Sequence, residues 1–399
     1  MANSGSHDVV PDSSLLKAIF GDNEPLNVSI VRKDADSCIF KAIVPIKLGH
    51  GHHSCFVRLE ALTEQPPSFY MAAAMQEIAS SCIEHLVPET IQVGTATNDQ
   101  KIEFQFWVME LVKGNSVEDA WDQMDDENRI SVVKTLVKVL SSLQYLELSD
   151  WKVQNILQVS LGEHRKEEVT KAVLGGPLSG FMDDAWDLLS FLVQSFELTM
   201  SNRFHTIESM LNPDGVEMRS TSKNVDSVRI NDVDIDRSKE AVFCHNDIRP
   251  QNIMVRKVHT DDGQVKYELT GLVNWGFAGF YPPSFQLSLQ DIYLGVRSRH
   301  LSFYLLLKQE LKATVPRTPS QMSLSKTILH LFAAQQEIKL ADNNVEAHLR
   351  RRYIAMMRLS WDKDPYVGWK RDVQGPVPEM SAEDFNRLKK DVFANNMWD

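Results

Sequence analysis

The sequence predicts an α+β protein of two lobes: a small lobe of antiparallel strands with one helix, and a larger, mostly helical lobe that carries a loop followed by a β-hairpin. Three observations predict it. Short alternating apolar runs crowd residues 23–110, longer segments of helical periodicity dominate residues 111–399, and the stretch from Phe243 to Phe280 switches to a strand, a polar loop and two further strands. A chain of 399 residues with 43% apolar content also exceeds what one core usually organises.

Residues 1–22 read as a tail leading into a short helix, Ser13 to Phe20. Leu26 to Arg32, Ser37 to Pro45 and Cys55 to Leu59 alternate between Gly, Asp and His punctuation and are expected to be strands. The turn Lys33-Asp34-Ala35-Asp36-Ser37 has no glycine and carries two carboxylates. A helix is expected from Phe69 to His85, with strands at Thr90 to Gly94 and Ile102 to Met109 closing the sheet, and Glu110 to Gly114 forming a hinge. Ser116 with Asp119 makes a capping box. Asp125 or Asp126 then caps a helix with Ile130, Val133, Leu136, Val137, Leu140 and Leu143 on one face.

Residues 156–182 read as a polar connection, Asp183 to Leu211 as a long amphipathic helix, and 212–240 as a polar, strand-free insertion of disordered or lid-like type. Further helices are expected at Asp291 to Lys312, from Pro319 behind a Thr318 cap to Leu340, and at Glu346 to Leu359. A final helix opens at Ser381-Ala382-Glu383-Asp384.

The stretch that organises the rest is the catalytic loop at 243–256 and its hairpin at 253–274. His245, Asp247 and Asn252 stand in the order H-x-D-x-x-x-x-N, the loop spacing of kinase-type phosphotransferases. Such a loop aims a carboxylate at an attacking hydroxyl and an amide oxygen at a metal ion. Ile253 to Val258 and Val265 to Val273 then form the hairpin around Asp262-Gly263. At the point where a second metal-binding carboxylate is due, the chain has Asn274.

These residues resemble the aminoglycoside phosphotransferase and choline kinase family, especially its form in filamentous fungi, which reads H-N-D-x-x-P-x-N-I-x-V, a hairpin, then G-[IV]-[IL]-D-W-E-F-A-G-x-Y-P. Here the matching residues are His245-Asn246-Asp247, Pro250, Asn252-Ile253 and Val255, then Gly271-Leu272-Val273-Asn274-Trp275-Gly276-Phe277-Ala278-Gly279-Phe280-Tyr281-Pro282. The resemblance implies a two-lobed protein-kinase-like fold. It makes Asp247 the base, with His245 bracing the loop and Asn252 on the metal side. It places Arg58 where the family's phosphate-binding Lys or Arg stands, Ser37 in the turn over the phosphates, Glu110 at the nucleotide hinge and Asn274 at the metal position. It also implies departures: Met71 or Ala72 stands where the helix glutamate is usual, and Gly276 where the family has another glutamate. Gly175-Gly176-Pro177-Leu178 matches the family's segment ahead of its substrate-side helix.

A formal charge of -12 argues against nucleic acid and anionic membrane as partners. The N-terminus has no secretory apolar core, and no run of about 18 apolar residues occurs, so a cytoplasmic protein is expected. Cys38, Cys55, Cys82 and Cys244 lack metal spacing and read as buried, reduced thiols. The histidines of Leu48 to His53 are the one histidine cluster, and they read as a solvated turn more than as a metal site.

Because the departures all fall on phosphate and metal handling, the expected function is an enzyme of small-molecule, specialised metabolism. In it Asp247 serves as general acid or base for an elimination, cyclisation or isomerisation, with Arg58 and Asn274 as polar anchors and no cofactor. The alternatives are an ATP- and Mg-dependent phosphotransferase of a small hydroxyl or amine compound, with Asn252 and Asn274 as weak metal ligands, and a non-catalytic pseudokinase binding module. The sequence is silent on substrate and oligomeric state.

Overall fold

In a computed structural model, residues 9–34, 37–48, 52–62, 69–161, 166–177, 179–183, 187–189, 191–192, 208–212, 215–219, 228–231 and 241–396 are described. The small lobe opens with α1 (Ser13–Phe20), capped by the Asp12 carboxylate on the Leu15 amide. Strands β1 (Asn27–Lys33), β2 (Ser37–Leu48) and β3 (His52–Ala61) follow, then α2 (Phe69–Ile83), β4 (Thr90–Thr97) and β5 (Glu103–Glu110). The five strands pair antiparallel in the order β1-β2-β3-β5-β4. Their period of two sends Cys38, Phe40, Cys55, Val57, Leu59, Phe104 and Phe106 to one face, where α1 covers them with Leu15, Ile19 and Phe20. The opposite face packs on α2, where Met75 and Ile78 join Trp107.

The larger lobe begins with β6 (Asn115–Ser116), α3 (Val117–Ala120), α4 (Asp126–Leu143), α5 (Trp151–Leu161) and α6 (Lys166–Lys171). Ser116 and Asp125 cap α3 and α4 through their side-chain oxygens. Then come β7 (Leu174–Gly176), β8 (Gly180–Met182), β9 (Glu208–Asn212), β10 (Gly215–Arg219), β11 (Val228–Asn231), β12 (Val242–Cys244), β13 (Ile253–His259), β14 (Val265–Leu272) and β15 (Gly279–Tyr281). The C-terminal part has α7 (Pro283–Tyr293), α8 (Leu301–Leu311), α9 (Pro319–Ala341), α10 (Val345–Met356), β16 (Leu359–Trp361), β17 (Trp369–Arg371) and α11 (Ala382–Asn396). One continuous core joins the lobes, running from Trp107 and α2 through Trp121, Leu136, Leu140, Phe243, Ile253, Trp275 and Phe303. The catalytic loop and its hairpin therefore stand on a single packed support rather than on a flexible joint.

Several expected elements differ from those observed. Ile130 is 41% exposed while Val132 is buried, because Ile130 lies at the flank of the stripe through Val133, Leu136 and Leu140. The connection at 156–182 is structured: α5 buries Val153 and Leu157, one turn apart, and β7 and β8 form a hairpin beside β15. Much of the helix expected from Asp183 to Leu211 lies outside the described residues, but its end, Glu208–Leu211, belongs to β9. The segment expected to be strand-free contributes β10 and β11, which pair with β9 in a three-stranded sheet. Val216, Met218, Val228 and Ile230 alternate with polar neighbours, and Asn212-Pro213-Asp214-Gly215 is turn chemistry that separates two strands.

The helix expected from Asp291 to Lys312 is broken between Tyr293 and Leu301. At the break Gly295 has φ of 78°, and a Cβ there would lie 2.8 Å from the Tyr353 ring. The helix expected to reach Leu359 ends at Met356, and Arg358 adopts φ of 51° before β16 begins. Cys82 is exposed, unlike the three buried cysteines, and all four are free thiols. Of the histidine cluster, residues 49–51 lie outside the described residues, while His53 Nδ1 lies 3.4 Å from the Val44 carbonyl. Among the described residues no helix is long and apolar enough to cross a membrane.

Candidate active site

Strand β12 enters the loop at His245, which is fully buried against the Trp275 ring, 4.5 Å between centroids. Its Nδ1 accepts the Asp247 amide at 3.2 Å, so the ring proton sits on Nε2 and is donated to the Val273 carbonyl at 3.1 Å. Burial pushes the imidazole pKa down to about 4, so it is neutral near pH 7 and works as a brace between the loop and the end of the hairpin. Helix α7 fixes the same loop from behind. The Gln286 Oε1 accepts the amides of His245 and Asn246 at 2.9 and 3.3 Å, and the Tyr293 hydroxyl donates to the Asn246 carbonyl. Asn246 is thereby held at φ of 58°, a left-handed conformation that asparagine tolerates better than most residues.

Asp247 is 0% exposed, and its carboxylate is surrounded by donors from this chain. The Asn252 Nδ2 donates to Oδ2 at 2.8 Å and to the Asp247 carbonyl at 2.7 Å, and the Asn274 Nδ2 donates to the same Oδ2. Arg249 completes the set: Nη2 donates to Oδ2 at 2.5 Å, and Nε lies 2.5 Å from Oδ1, off the line of a hydrogen bond. The guanidinium itself rests over the Tyr293 ring, 5.7 Å from its centre. Asn274, like Asn246, is left-handed, with φ of 70°, which turns its amide inward from the end of the hairpin.

Arg58 approaches from β3. A Cβ at Gly276 would stand 3.8 Å from Arg58 Nη1 and 4.0 Å from Asn274 Oδ1, so the two side chains flank the gap that glycine leaves. The guanidinium is committed within its own strand: Nε donates to Glu60 Oε1 at 2.8 Å, Nη2 joins the same oxygen, and the Phe69 ring lies 5.2 Å away. Gln105, opposite Glu60 in the sheet, donates to Glu60 Oε2 at 3.4 Å and accepts the Phe69 amide at the start of α2. The usual strand-to-helix ion pair is thus replaced by one along a strand, while α2 presents buried Met71 and Ala72.

Of the residues singled out in the sequence, His245, Asp247, Asn252 and Asn274 form one hydrogen-bonded cluster, and Arg58 reaches its edge. Ser37 and Glu110 do not join it. The Ser37 hydroxyl lies 3.4 Å from Asp34 within its own turn, and Glu110 Oε2 accepts the Glu89 amide at 3.2 Å. Arg249, Gln286, Tyr293 and Glu60 were not anticipated. Glu60 was within reach of sequence reasoning, because residues two apart on a strand share a face.

Whether magnesium suits these residues turns on the donors. Asn252 and Asn274 present N–H groups to Asp247, and that one carboxylate already has the Arg249 cation. Among the described residues no group of three or more His, Cys, Asp or Glu could hold a metal, and the one carboxylate of this set, Asp247, is the anionic oxygen source it has for a divalent ion, which commonly takes one or two carboxylates together with phosphate oxygens. On the small-lobe side Arg58 is paired with Glu60, and the turn above carries Asp34, itself bound to Arg32 at 2.8 Å. As built, the Asn252 and Asn274 amides present N–H groups to Asp247 rather than oxygens to a divalent ion.

Residues 46–289 match the sequence model of the Phosphotransferase enzyme family. The chain belongs to that family. Its α+β architecture, with an antiparallel small lobe and a helical large lobe, is accordingly the kinase-like fold of these enzymes. A thermostable mutant of aminoglycoside phosphotransferase APH(4)-Ia, solved in a ternary complex with ADP and hygromycin B, is similar at a TM-score of 0.42 and 12% identity, over 86% of this chain and 96% of the other. Wild-type aminoglycoside 2'-phosphotransferase-IIIa with GDP is similar at 0.39 and 13% identity, over 96% of this chain and 100% of that one. The type VIII aminoglycoside-3'-phosphotransferase gives 0.36 and 13%, over 85% and 97%. No curated protein matches the chain at a significant level. Within the phosphotransferase family, then, this member keeps the loop and the hairpin while its own guanidinium stands on the carboxylate.

Proposed function

We propose that this member of the phosphotransferase family acts on a small organic molecule without a bound divalent cation. Asp247 serves as general acid or base for elimination, cyclisation or isomerisation in specialised metabolism. The observation that supports this reading is the Asn274 amide, which stands where the family resemblance places a metal-binding carboxylate and donates its N–H to Asp247 Oδ2 instead of offering an anionic oxygen. Arg249 orients the carboxylate, and it is a charged group that must move aside for a substrate to reach Oδ1. Free cysteines on both lobes suit the reducing cytoplasm.

Thermal unfolding with ATP and magnesium tests this reading. A flat response is expected, and a metal-dependent rise following RT ln(1 + [L]/Kd) would restore ordinary phosphoryl transfer. The burial of Asp247 favours a second reading, a non-catalytic binding module in which the carboxylate only braces the loop. Asp247→Asn separates the two: its biological activity is expected to vanish with folding intact, whereas unaltered activity supports the binding module.

A further inference from the structure

Helices α7, α9 and α10 enclose a cavity of about 220 Å³ against the catalytic loop. Phe277, Phe285, Leu289 and Phe332 give it aromatic and aliphatic walls, and Asn246 of the loop forms part of its lining. Asn246 is 2% exposed; its Nδ2 donates to the Phe277 carbonyl at 3.2 Å, while its Oδ1 is buried without a partner. A buried amide oxygen left unpaired is costly and asks for a donor.

The second polar feature is charge. Arg350, 6% exposed, lines the cavity, donates to the Asp291 carbonyl, and lies 6.0 Å from the Trp369 ring centre. The Asp291 carboxylate is already engaged: Lys308 Nζ holds Oδ2 at 2.6 Å and the Tyr304 hydroxyl holds Oδ1 at 2.6 Å. Burial pushes the Asp291 carboxyl up and the Lys308 ammonium down, but whichever of the two carries the proton, the pair sums to zero. The Arg350 pKa, lowered by burial to about 10, still leaves it charged near pH 7. One buried cation therefore remains over among the residues that line the cavity, and such a charge is stable only when matched. Around the mouth, Arg297 and Lys339 outnumber Glu346.

We propose that this cavity binds a small aromatic molecule bearing one anionic group, its ring between Phe285 and Phe332 and its anion toward Arg350. The volume is below the range of drug-sized sites, which restricts the ligand to one or two rings. The inference rests on the reading that the cleft serves a small organic molecule and gives that molecule a class. A polyamine would meet three cations and a single carboxylate.

Calorimetric titration of the full chain in magnesium-free buffer tests it, using naphthalene-2-carboxylate, the neutral naphthalene-2-carboxamide and the cationic 2-naphthylmethylamine. The carboxylate is expected to bind at one site, with the amine weaker by about tenfold or more. Leu289→Trp fills the cavity and abolishes binding, and the rim variants Arg297→Glu and Lys339→Glu weaken the carboxylate several-fold without moving the thermal midpoint. The proposal is overturned if the amine binds as tightly as the carboxylate, if Leu289→Trp leaves binding unchanged, or if none of the three probes binds. A magnesium-ATP response alongside specific carboxylate binding would remove the metal-free reading and leave the cavity assignment standing; the converse pattern would do the opposite.

Discussion

Arg249 lies on Asp247 as a built-in counterion, with Nη2 2.5 Å from Oδ2, and the carboxylate beneath it is wholly buried. A guanidinium two residues along the loop balances an anion that solvent cannot reach. Removing one partner of such a pair leaves the other uncompensated, which commonly costs about 3–5 kcal/mol. Arg249→Ala is therefore expected to lower unfolding stability by about 3 kcal/mol, read by urea denaturation. Asp247→Asn in the same background should recover part of that loss by removing the orphaned charge. If Arg249→Ala is neutral, the pair is not what stabilises the loop.

Asn274→Asp puts a second carboxylate against Asp247, with Arg249 already on that carboxylate and Arg58 at the edge of the cluster committed to Glu60. Aspartate tolerates the left-handed backbone at this position, so the effect should be electrostatic rather than conformational. Without metal, the variant is expected to be less stable by about 2 kcal/mol, and millimolar magnesium should raise its thermal midpoint while leaving the parent unmoved. Equal magnesium responses in both proteins would show that the amide is not what excludes the ion.

The part of this site that is readable in the sequence is the part whose geometry is local. His245, Asp247 and Asn252 share one loop, and a hairpin of ordinary turn chemistry returns the chain to them at Asn274. Arg249 sits in the same loop but carries no signal, since a cation between Ile248 and Pro250 reads as solvated until the fold buries its neighbour. Gln286 and Tyr293 act by side-chain bonds to loop backbone from a later helix, and such bonds leave no periodicity. In the fold, strong helical periodicity around residues 183–211 outweighed the turn at Asn212 to Gly215, so β9 to β11 were missed. The small lobe, most of whose strands alternate between two covered faces, was legible in the type and order of its elements, with ends such as those of β2, β3 and β4 up to three residues away.

The neutral state of His245 makes stability depend on pH. Its pKa is about 4 in the folded protein because burial opposes the charge, against about 6.5 in an unfolded chain. Between those values the unfolded state binds the extra proton, so stability is fully present above about pH 6.5 and is lost as pH falls toward 4. The loss amounts to at most about 3 kcal/mol. Urea midpoints measured from pH 7 down to pH 4.5 should show this slope, and His245→Gln should flatten it even if its stability at pH 7 is lower. A slope unchanged in the variant would assign the acid sensitivity to other groups.

Gly368 closes the network beneath the proposed ligand cavity. It adopts φ of 69°, and a Cβ there would stand 2.1 Å from Asp291 Oδ1 and 2.6 Å from the Tyr304 hydroxyl. That hydroxyl bridges Asp291 and the Trp369 amide, tying the C-terminal β16–β17 hairpin to α7 and α8. The backbone conformation alone costs alanine about 1 kcal/mol, and the overlap forces apart a buried carboxylate and its partners, so Gly368→Ala should be destabilised by about 3 kcal/mol or more. Because Asp291 also sets the surroundings of Arg350, the same variant should weaken naphthalene-2-carboxylate at temperatures where it remains folded. Circular dichroism melting checks the first effect and calorimetry below the transition checks the second. A melting point within a degree or so of the parent would mean that the hairpin tail accommodates the methyl group by moving as a unit, and that the Asp291 network tolerates displacement.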